Sequence, residues 1–218
     1  MPTSVKENYL KALYFLQEKG QNINVTELSK KLGVSKPTVS NMLKSLEDQE
    51  WVIYRKYKPI EFTEKGKKQA ALIIRKHRLA EVFLHKVMKF GWEEVHDIAE
   101  QIEHIKSPIL FQRMDEMLDF PKTDPHGSPI PNKNGNIESH HYLLLSQFQA
   151  GTKVKLCALE NSTNKLLVYL NEKNIKLGTE IEILSIEPFD QSVVIKYDDH
   201  DALMISQKVA DCLLVKEI

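Results

Sequence analysis

The stretch that decides the fold spans Val25–Glu47 and reads VTELSKKLGVSKPTVSNMLKSLE. Thr26 can cap the start of a short helix. This helix is predicted to end at Gly33, because glycine readily adopts the left-handed conformation of a helix end. A further helix follows, with Ser35 as its cap and Pro37 in its first turn, where the missing N–H costs little. Two short helices joined by a glycine-containing turn predict a helix-turn-helix.

Both flanks of this motif add elements that fit a larger DNA-binding domain. Apolar residues recur at helical spacing over residues 7–19, which predicts a preceding helix. After the motif, two β-prone stretches at residues 51–54 and 60–63 are joined by the basic segment RKYKP. A basic hairpin beside a helix-turn-helix can lie along the phosphate backbone of DNA. The pattern therefore predicts a winged helix in residues 1–63.

The polar side of the third helix is the predicted DNA-reading surface. Thr38, Asn41 and Ser45 share one side of this helix, away from its apolar stripe. Asparagine can form two hydrogen bonds with adenine, and lysine suits contacts with phosphate. A solvated polar face is the alternative interpretation. The candidate DNA-binding residues are Ser35, Lys36, Pro37, Thr38, Ser40, Asn41 and Lys44.

Charge is distributed unevenly along a chain whose formal net charge is zero. The first 78 residues contain 16 Lys/Arg against 8 Asp/Glu, and the remainder contains 14 against 22. A basic first third suggests a module that binds a polyanion, joined to a more acidic part. With 42% hydrophobic and 28% charged residues, the composition is that of a soluble protein with two small domains.

Several classes of protein find no support in the sequence. No run approaches the roughly 18 consecutive apolar residues of a membrane span, and the first residues lack the order of a signal peptide. The two cysteines, Cys157 and Cys212, form no C-x-x-C motif, so neither a zinc ribbon nor a redox pair is indicated. We therefore expect a cytoplasmic protein that does not contact a membrane.

The predicted secondary structure changes twice along the remainder of the chain. Helical patterns run over residues 64–90, 93–106 and 108–118. Prolines and glycines then concentrate among polar residues, which marks a linker, and alternating apolar residues after Gly151 predict a β-rich domain. The predicted division is residues 1–63, 64–120, 121–150 for the linker, and 151–218.

Potential metal ligands cluster in the helical middle of the chain. His96, Glu100, Glu103 and His104 fall on one helix face about 100° wide, given about 100° per residue. On the preceding helix, His77 and Glu81 lie one turn apart. Imidazoles and carboxylates without a thiolate suit Mn(II), Fe(II) or Zn(II). Either pattern alone is more often a solvated face, but their position directly after a DNA-binding domain favours a metal site.

Five segments together resemble the diphtheria-toxin-repressor family of metal-dependent regulators, across nearly the whole chain. The resemblance implies a multidomain α+β fold with a winged helix-turn-helix, a helical dimerisation and metal-binding domain, and a C-terminal Src-homology-like small β-barrel of the FeoA type. The matching segments are ENYLKALYFL from Glu7, SKPTVSNMLKSLE from Ser35, RKHRLAEVFL from Arg75, VHDIAEQIEH from Val95 and PHGSPIP from Pro125.

The resemblance also implies two metal sites per chain. Glutamate at position 100 is similar to the manganese-responsive branch, whereas the iron-responsive branch has cysteine there. Asn8 and Lys11 depart from the pattern, since the branches have Asp or Met at position 8 and the manganese branch has a carboxylate at position 11. The implied ligands are His77, Glu81 and His96, with Glu160 from the small barrel, for one site, and Asn8, Glu100, Glu103 and His104 for the other.

The predicted function is a metal-dependent repressor, not an enzyme, that controls metal-uptake genes. Mn(II) is the expected corepressor, with Fe(II) as the alternative, and the expected partners are palindromic operator DNA and a second copy of the chain. The rival interpretations are a helical metalloenzyme and a winged-helix regulator that senses a small molecule. A di-metal oxidase needs paired Glu-x-x-His motifs on its helices, and within the predicted helices only Glu93 and His96 have that spacing. The apolar stripe expected at the dimer interface comprises Ile102, Ile105, Phe111, Met114, Met117 and Leu118.

Overall fold

The computed structural model describes residues 3–18, 20, 23–56, 58–138, 141–198 and 200–218. They form two compact units, each assembled from separate stretches of the chain. The first unit comprises Met1–Ala80, Ile98–Lys122 and Ile130–Glu138, and the second comprises Glu81–Asp97, Thr123–Pro129 and Ser139–Ile218. Each unit contains its own hydrophobic core.

The first unit begins with the three helices that the sequence predicted. They are α1 (Ser4–Glu18), α2 (Val25–Leu32) and α3 (Lys36–Glu47). Each presents leucines to a shared core, among which Leu10, Leu28 and Leu43 are completely buried. The helix-turn-helix is therefore confirmed, and its apolar periodicity is what holds the helices together.

The cap of α2 differs from the expectation. The helix begins at Val25, and the side chain of Asn24 accepts hydrogen bonds from the backbone N–H groups of Thr26 (2.9 Å) and Glu27 (3.0 Å). The assignment of Thr26 as the cap was wrong, because an asparagine two residues earlier supplies the oxygen. The other end agrees with the prediction, since Gly33 has a φ of 65° and closes the helix in the left-handed conformation.

A two-stranded hairpin follows α3. Strands β1 (Val52–Ile53) and β2 (Glu61–Phe62) pair antiparallel, with Val52 opposite Phe62. Gly66 lies in the first turn of the next helix, where an added Cβ would come within 1.8 Å of the Trp51 carbonyl oxygen. Only glycine lets this helix start so close to the hairpin, so the wing and the helix after it are joined tightly.

Three helices form the middle of the chain, namely α4 (Glu64–Lys86), α5 (Val95–Ile102) and α6 (Pro108–Met117). The first two are shorter than the helical patterns at residues 64–90 and 93–106. Lys89 has a φ of 64°, a left-handed conformation that cannot continue a helix. None of the helices within the described part of the chain is both long and apolar enough to cross a membrane.

The second unit contains six strands and two short helices. The strands are β3 (Leu143–Leu144), β4 (Lys153–Leu159), β5 (Glu180–Ile186), β6 (Val193–Tyr197), β7 (His200–Ile205) and β8 (Leu213–Glu217), with helices α7 (Asn164–Glu172) and α8 (Gln207–Ala210) between them. The strands form an antiparallel sheet in the order β3-β8-β4-β5-β6-β7, and alternate residues of β4 face the core, as the alternation predicted. The sheet of the described residues is not a closed barrel as expected, since β3 and β7 lie at its opposite edges.

The proline- and glycine-rich segment after α6 has a defined structure where it belongs to the second unit. Asp124 accepts hydrogen bonds from the backbone N–H groups of His126 (2.8 Å) and Ser128 (2.9 Å). His126 is buried, with its Nε2 atom 2.9 Å from the Trp92 carbonyl oxygen. This turn is therefore packed into the unit through specific polar contacts, although its composition is typical of a linker.

Candidate metal centre and DNA-binding surface

Helix α3 presents one polar side to solvent. Lys36, Thr38, Asn41 and Lys44 are exposed, as is Pro37 in the first turn, whereas the apolar stripe of the helix is buried in the core. An exposed asparagine on a helix of this kind can approach base edges in the major groove. The polar side predicted from helical spacing is thus available in the structure.

The two serines among the candidate DNA-binding residues already have intramolecular contacts. Ser35 caps α3, and its Oγ atom lies 2.8 Å from Thr38 Oγ1. Ser40 is partly buried and accepts a hydrogen bond of 3.3 Å from the hydroxyl of Tyr54, which follows β1. Ser35 therefore fixes the start of the helix, and Ser40 ties the helix to the wing.

Glu103 is the centre of a buried polar cluster in the first unit. Its side chain is fully buried, and its two oxygens accept hydrogen bonds from Lys11 Nζ at 2.8 and 3.0 Å. His77 Nδ1 lies 2.6 Å from Glu103 Oε2. Lys11 also bonds to Glu100. A carboxylate oxygen of Glu100, one of Glu103 and a ring nitrogen of His77 lie within 4.8 Å of one another, close enough to hold one ion. The cluster thus joins helices α1, α4 and α5.

Helix α1 contributes two further polar groups. Glu7 is buried, and its Oε2 atom lies 2.5 Å from His104 Nδ1. Asn8 Oδ1 is buried and has no hydrogen-bond partner among the described residues. A buried amide oxygen without a partner is costly, so a ligand at that oxygen is a physical expectation.

A second group of polar side chains lies in the second unit. Glu81 is almost completely buried, 3.4 Å from His96 Nδ1 and 4.0 Å from His126 Nδ1. Glu81, Asp124 and His126 could together hold an ion. Glu160 is exposed and belongs to none of the possible metal-holding groups of the described residues. The grouping of His77 with Glu81 and His96, and the role of Glu160, stay predictions.

Four residues in these clusters were not among the candidate ligands. Glu7, Asp124 and His126 were missed, and Lys11 was noted only as a departure from the family pattern. His126 had a recognisable signal, since Asp124 precedes it by two residues in a turn-forming sequence. Glu7 had none, because its partner His104 is 97 residues away.

The donor set fits a borderline to hard divalent metal ion. The clusters offer imidazole nitrogens, carboxylate oxygens and one amide oxygen, and neither cysteine belongs to a possible metal-holding group of the described residues. Such ligands suit Mn(II), Fe(II) and Zn(II), whereas soft ions prefer thiolates. The side chains present therefore agree with the metal dependence inferred from the sequence.

Comparison with known proteins agrees with this geometry along the chain. Residues 1–60 match the model of the iron-dependent repressor N-terminal DNA-binding domain, and residues 63–132 match its metal-binding and dimerisation domain. Residues 143–217 match the FeoA domain. The diphtheria toxin repressor of Corynebacterium efficiens is 34% identical over 82% of this chain and 82% of its own length. The chain belongs to the diphtheria-toxin-repressor family.

Other members of the family show how far the similarity extends. The iron-dependent repressor IdeR of Mycobacterium tuberculosis is 38% identical over 57% of this chain, but the alignment spans only 54% of the relative's length. The solved structure of a manganese-dependent transcriptional repressor in complex with manganese has a TM-score of 0.90 at 28% identity, covering 97% of this chain and 99% of that one. The family resemblance, the winged-helix start and the FeoA-like end predicted from the sequence are confirmed.

Proposed function

We propose that this chain is a dimeric repressor that binds palindromic operator DNA when loaded with metal and controls metal-uptake genes. Mn(II) is the preferred corepressor and Fe(II) the alternative. Each chain has two metal sites. The first comprises His77, Glu81 and His96, with Glu160 as a further candidate, and the second comprises Asn8, Glu100, Glu103 and His104.

The observation that carries this proposal is the buried, unpartnered oxygen of Asn8. Asn8 lies on α1 between Glu7 and Lys11, whose side chains contact His104 and the carboxylates of Glu100 and Glu103. A ligand that bonded to Asn8 as well would connect the helix before the DNA-reading motif to the metal-binding part of the chain. This supports a link between metal binding and the position of the DNA-reading helix.

A metal ion in the second site would supply a divalent charge and bonds that fix several oxygen and nitrogen atoms at once. Asn8 and Glu103 would orient α1 relative to α5, and His104 would exchange its contact with Glu7 for a ligand bond. More of these side chains would then coordinate the metal ion in one arrangement of the helices than in others. That arrangement gains population, and operator binding and metal binding favour each other by the same factor.

Two features favour Mn(II) over the other ions. Glu100 provides a hard oxygen at the position where the iron-responsive branch has cysteine, and the similar solved repressor is manganese-dependent. Fe(II) remains the alternative because IdeR, an iron-dependent repressor, is also a relative. Affinity alone would favour Zn(II) over Mn(II), so selectivity for Mn(II) has to come from coordination geometry and ligand hardness.

The test begins by enriching the operator from a random duplex library with Mn(II)-loaded protein. Binding to the enriched duplex is then titrated with Mn(II), Fe(II) under anaerobic conditions, Co(II) and Zn(II). We expect a palindromic sequence, binding that a chelator abolishes, and the strongest response to Mn(II). His104→Ala should require at least roughly 10- to 100-fold more metal for the same operator binding, since that is the usual effect of losing a residue that only supports a ligand.

His141→Ala is the matched control, because His141 is exposed and lies outside the candidate clusters. It should bind the duplex like the unmodified protein. Operator binding that persists in chelator, or a normal metal response in His104→Ala, would refute the proposal.

A further inference from the structure

Lys11 is an unusual side chain for a metal-binding cluster. It is 8% exposed, and its ammonium group contacts the carboxylates of both Glu100 and Glu103. Lysine is almost never buried to this extent unless it is paired. The only hydrogen bonds of this ammonium group among the described residues are to these two carboxylates, so the cluster accounts for its burial.

The carboxylates in turn depend on Lys11. Glu103 is completely buried, and a buried carboxylate is strongly destabilising unless a positive or hydrogen-bonding partner compensates it. Lys11 contacts both of its oxygens, and His77 contacts one of them. The ammonium group therefore stands where a bound cation would neutralise the same oxygens.

We propose that Lys11 is a built-in competitor of the metal ion, whose ammonium group must leave Glu100 and Glu103 before a divalent ion can bind there. The inference rests on the proposed function and adds what sets the metal threshold of the second site. Lys11 stabilises the metal-free cluster and thereby lowers its affinity for metal.

Displacement follows from the geometry of Glu103. Lys11 Nζ lies 2.8 and 3.0 Å from the two oxygens, and His77 Nδ1 lies 2.6 Å from one of them. A metal ion on the same oxygens would lie close to the ammonium group, and like charges at short range in a partly buried site repel each other. The long, flexible lysine stem lets the ammonium group move out to solvent.

The experiment measures metal binding without DNA. Chelator-stripped protein is titrated with MnCl₂ by calorimetry, and bound manganese per chain is counted after equilibrium dialysis. Lys11→Met keeps the apolar stem and removes the charge, and Lys11→Gln is a second variant in case the first does not fold. We expect one class of sites to bind Mn(II) roughly 5- to 150-fold more tightly in these variants, the range typical of coupled sites.

Lys76→Met is the matched control. Lys76 Nζ also donates to Glu103, but to its backbone carbonyl oxygen at 3.0 Å rather than to the carboxylate. The control therefore removes the same charge from the same neighbourhood without freeing a ligand oxygen. Its manganese affinity should stay within about twofold of the unmodified protein, because the remaining effect is long-range and screened by salt.

Melting temperatures give an independent readout. Without metal, Lys11→Met should melt below the unmodified protein, because the buried carboxylate of Glu103 loses the ammonium group on its two oxygens and keeps only its contact with His77. Saturating Mn(II) should raise the melting temperature of the variant by more than that of the unmodified protein, since tighter binding adds more stability.

The outcomes separate this inference from the proposed function. If the unmodified protein binds Mn(II) but the Lys11 variants bind it no more tightly, or if Lys76→Met shows the same gain, Lys11 is not a competitor and the inference fails alone. If neither the unmodified protein nor any variant binds metal, the proposed function fails with it.

Discussion

Glu100 differs from Glu103 in how far it is open to solvent. Its side chain is 37% exposed, whereas that of Glu103 is fully buried, although both accept hydrogen bonds from Lys11. A substitution at Glu100 therefore leaves the buried Glu103–Lys11 pair in place. Position 100 is the better place to change the chemistry of the site while keeping the protein folded.

Glu100→Cys should change the order of the metals. Glutamate offers a hard oxygen, and a thiolate favours softer, later metals. We expect Mn(II) to lose potency relative to Fe(II) and Co(II) in supporting operator binding, measured by anaerobic titration of each metal. Circular dichroism should show unchanged helical content. An unchanged order would mean that position 100 does not set the choice of metal.

At the scale of the helix, the cap of α2 predicts a stability difference between two neighbouring residues. Asn24→Ala removes an oxygen that accepts from two backbone N–H groups, and should lower the free energy of unfolding by about 1 kcal/mol. Thr26→Ala is the control and should change it by less than about 0.5 kcal/mol, as is usual for surface substitutions. Urea denaturation of both variants gives the comparison, and equal effects would contradict the assignment of the cap.

Helix α3 predicts two different effects on DNA binding. Asn41→Ala should weaken binding to the enriched operator by about 1–3 kcal/mol and relax its sequence preference, because an exposed asparagine can read a base. Lys44→Ala should weaken operator and random DNA alike, and reduce the salt dependence, because lysine suits phosphate contacts. Fluorescence anisotropy measures the affinity for both duplexes at several salt concentrations. Equal losses on both duplexes for Asn41→Ala would exclude base reading by this residue.

At the scale of the whole molecule, the apolar residues available for dimerisation differ from the expected stripe. Phe111, Met114 and Leu118 are already buried within the chain. The exposed apolar residues around α6 are Ile105, Ile109, Met117 and Phe120. Several large apolar side chains exposed on one short stretch of chain are typical of an interface between protein chains. The dimer contact is therefore expected on the outer side of α6.

The double variant Ile109→Asp with Met117→Lys should convert the metal-loaded protein to a monomer at micromolar concentration, measured by sedimentation. Phe189→Lys is the control, because Phe189 is a fully exposed apolar residue of the second unit and should not affect the dimer. The unmodified dimer should protect two half-sites about 34–36 Å apart, or a multiple of that spacing, in footprinting. If the double variant remained a dimer, the interface would lie elsewhere and not on the outer side of α6.

Much of the candidate site could be predicted from local spacing. The one-turn spacing of His77 and Glu81 on α4, and of His96 and Glu100 on α5, follows from the helical repeat, and so does the exposed side of α3. Glu103 and His104 were expected on the same helix face, but α5 ends at Ile102 and both residues lie beyond it. The partners of these residues could not be predicted. Glu103 pairs with Lys11 across 92 residues and with His77 across 26, and no periodicity connects them.

The sequence by itself determined the winged helix-turn-helix, the helical middle and the strands of the sheet, because hydrophobic periodicity and turn residues act over a few neighbouring positions. Only the tertiary structure decided that Lys11 neutralises Glu103, that Glu7 contacts His104, and that His126 is buried against the Trp92 carbonyl oxygen. A buried charge or amide is stable only with a partner of the right chemistry at bonding distance, and the folded chain selects that partner from anywhere along its length.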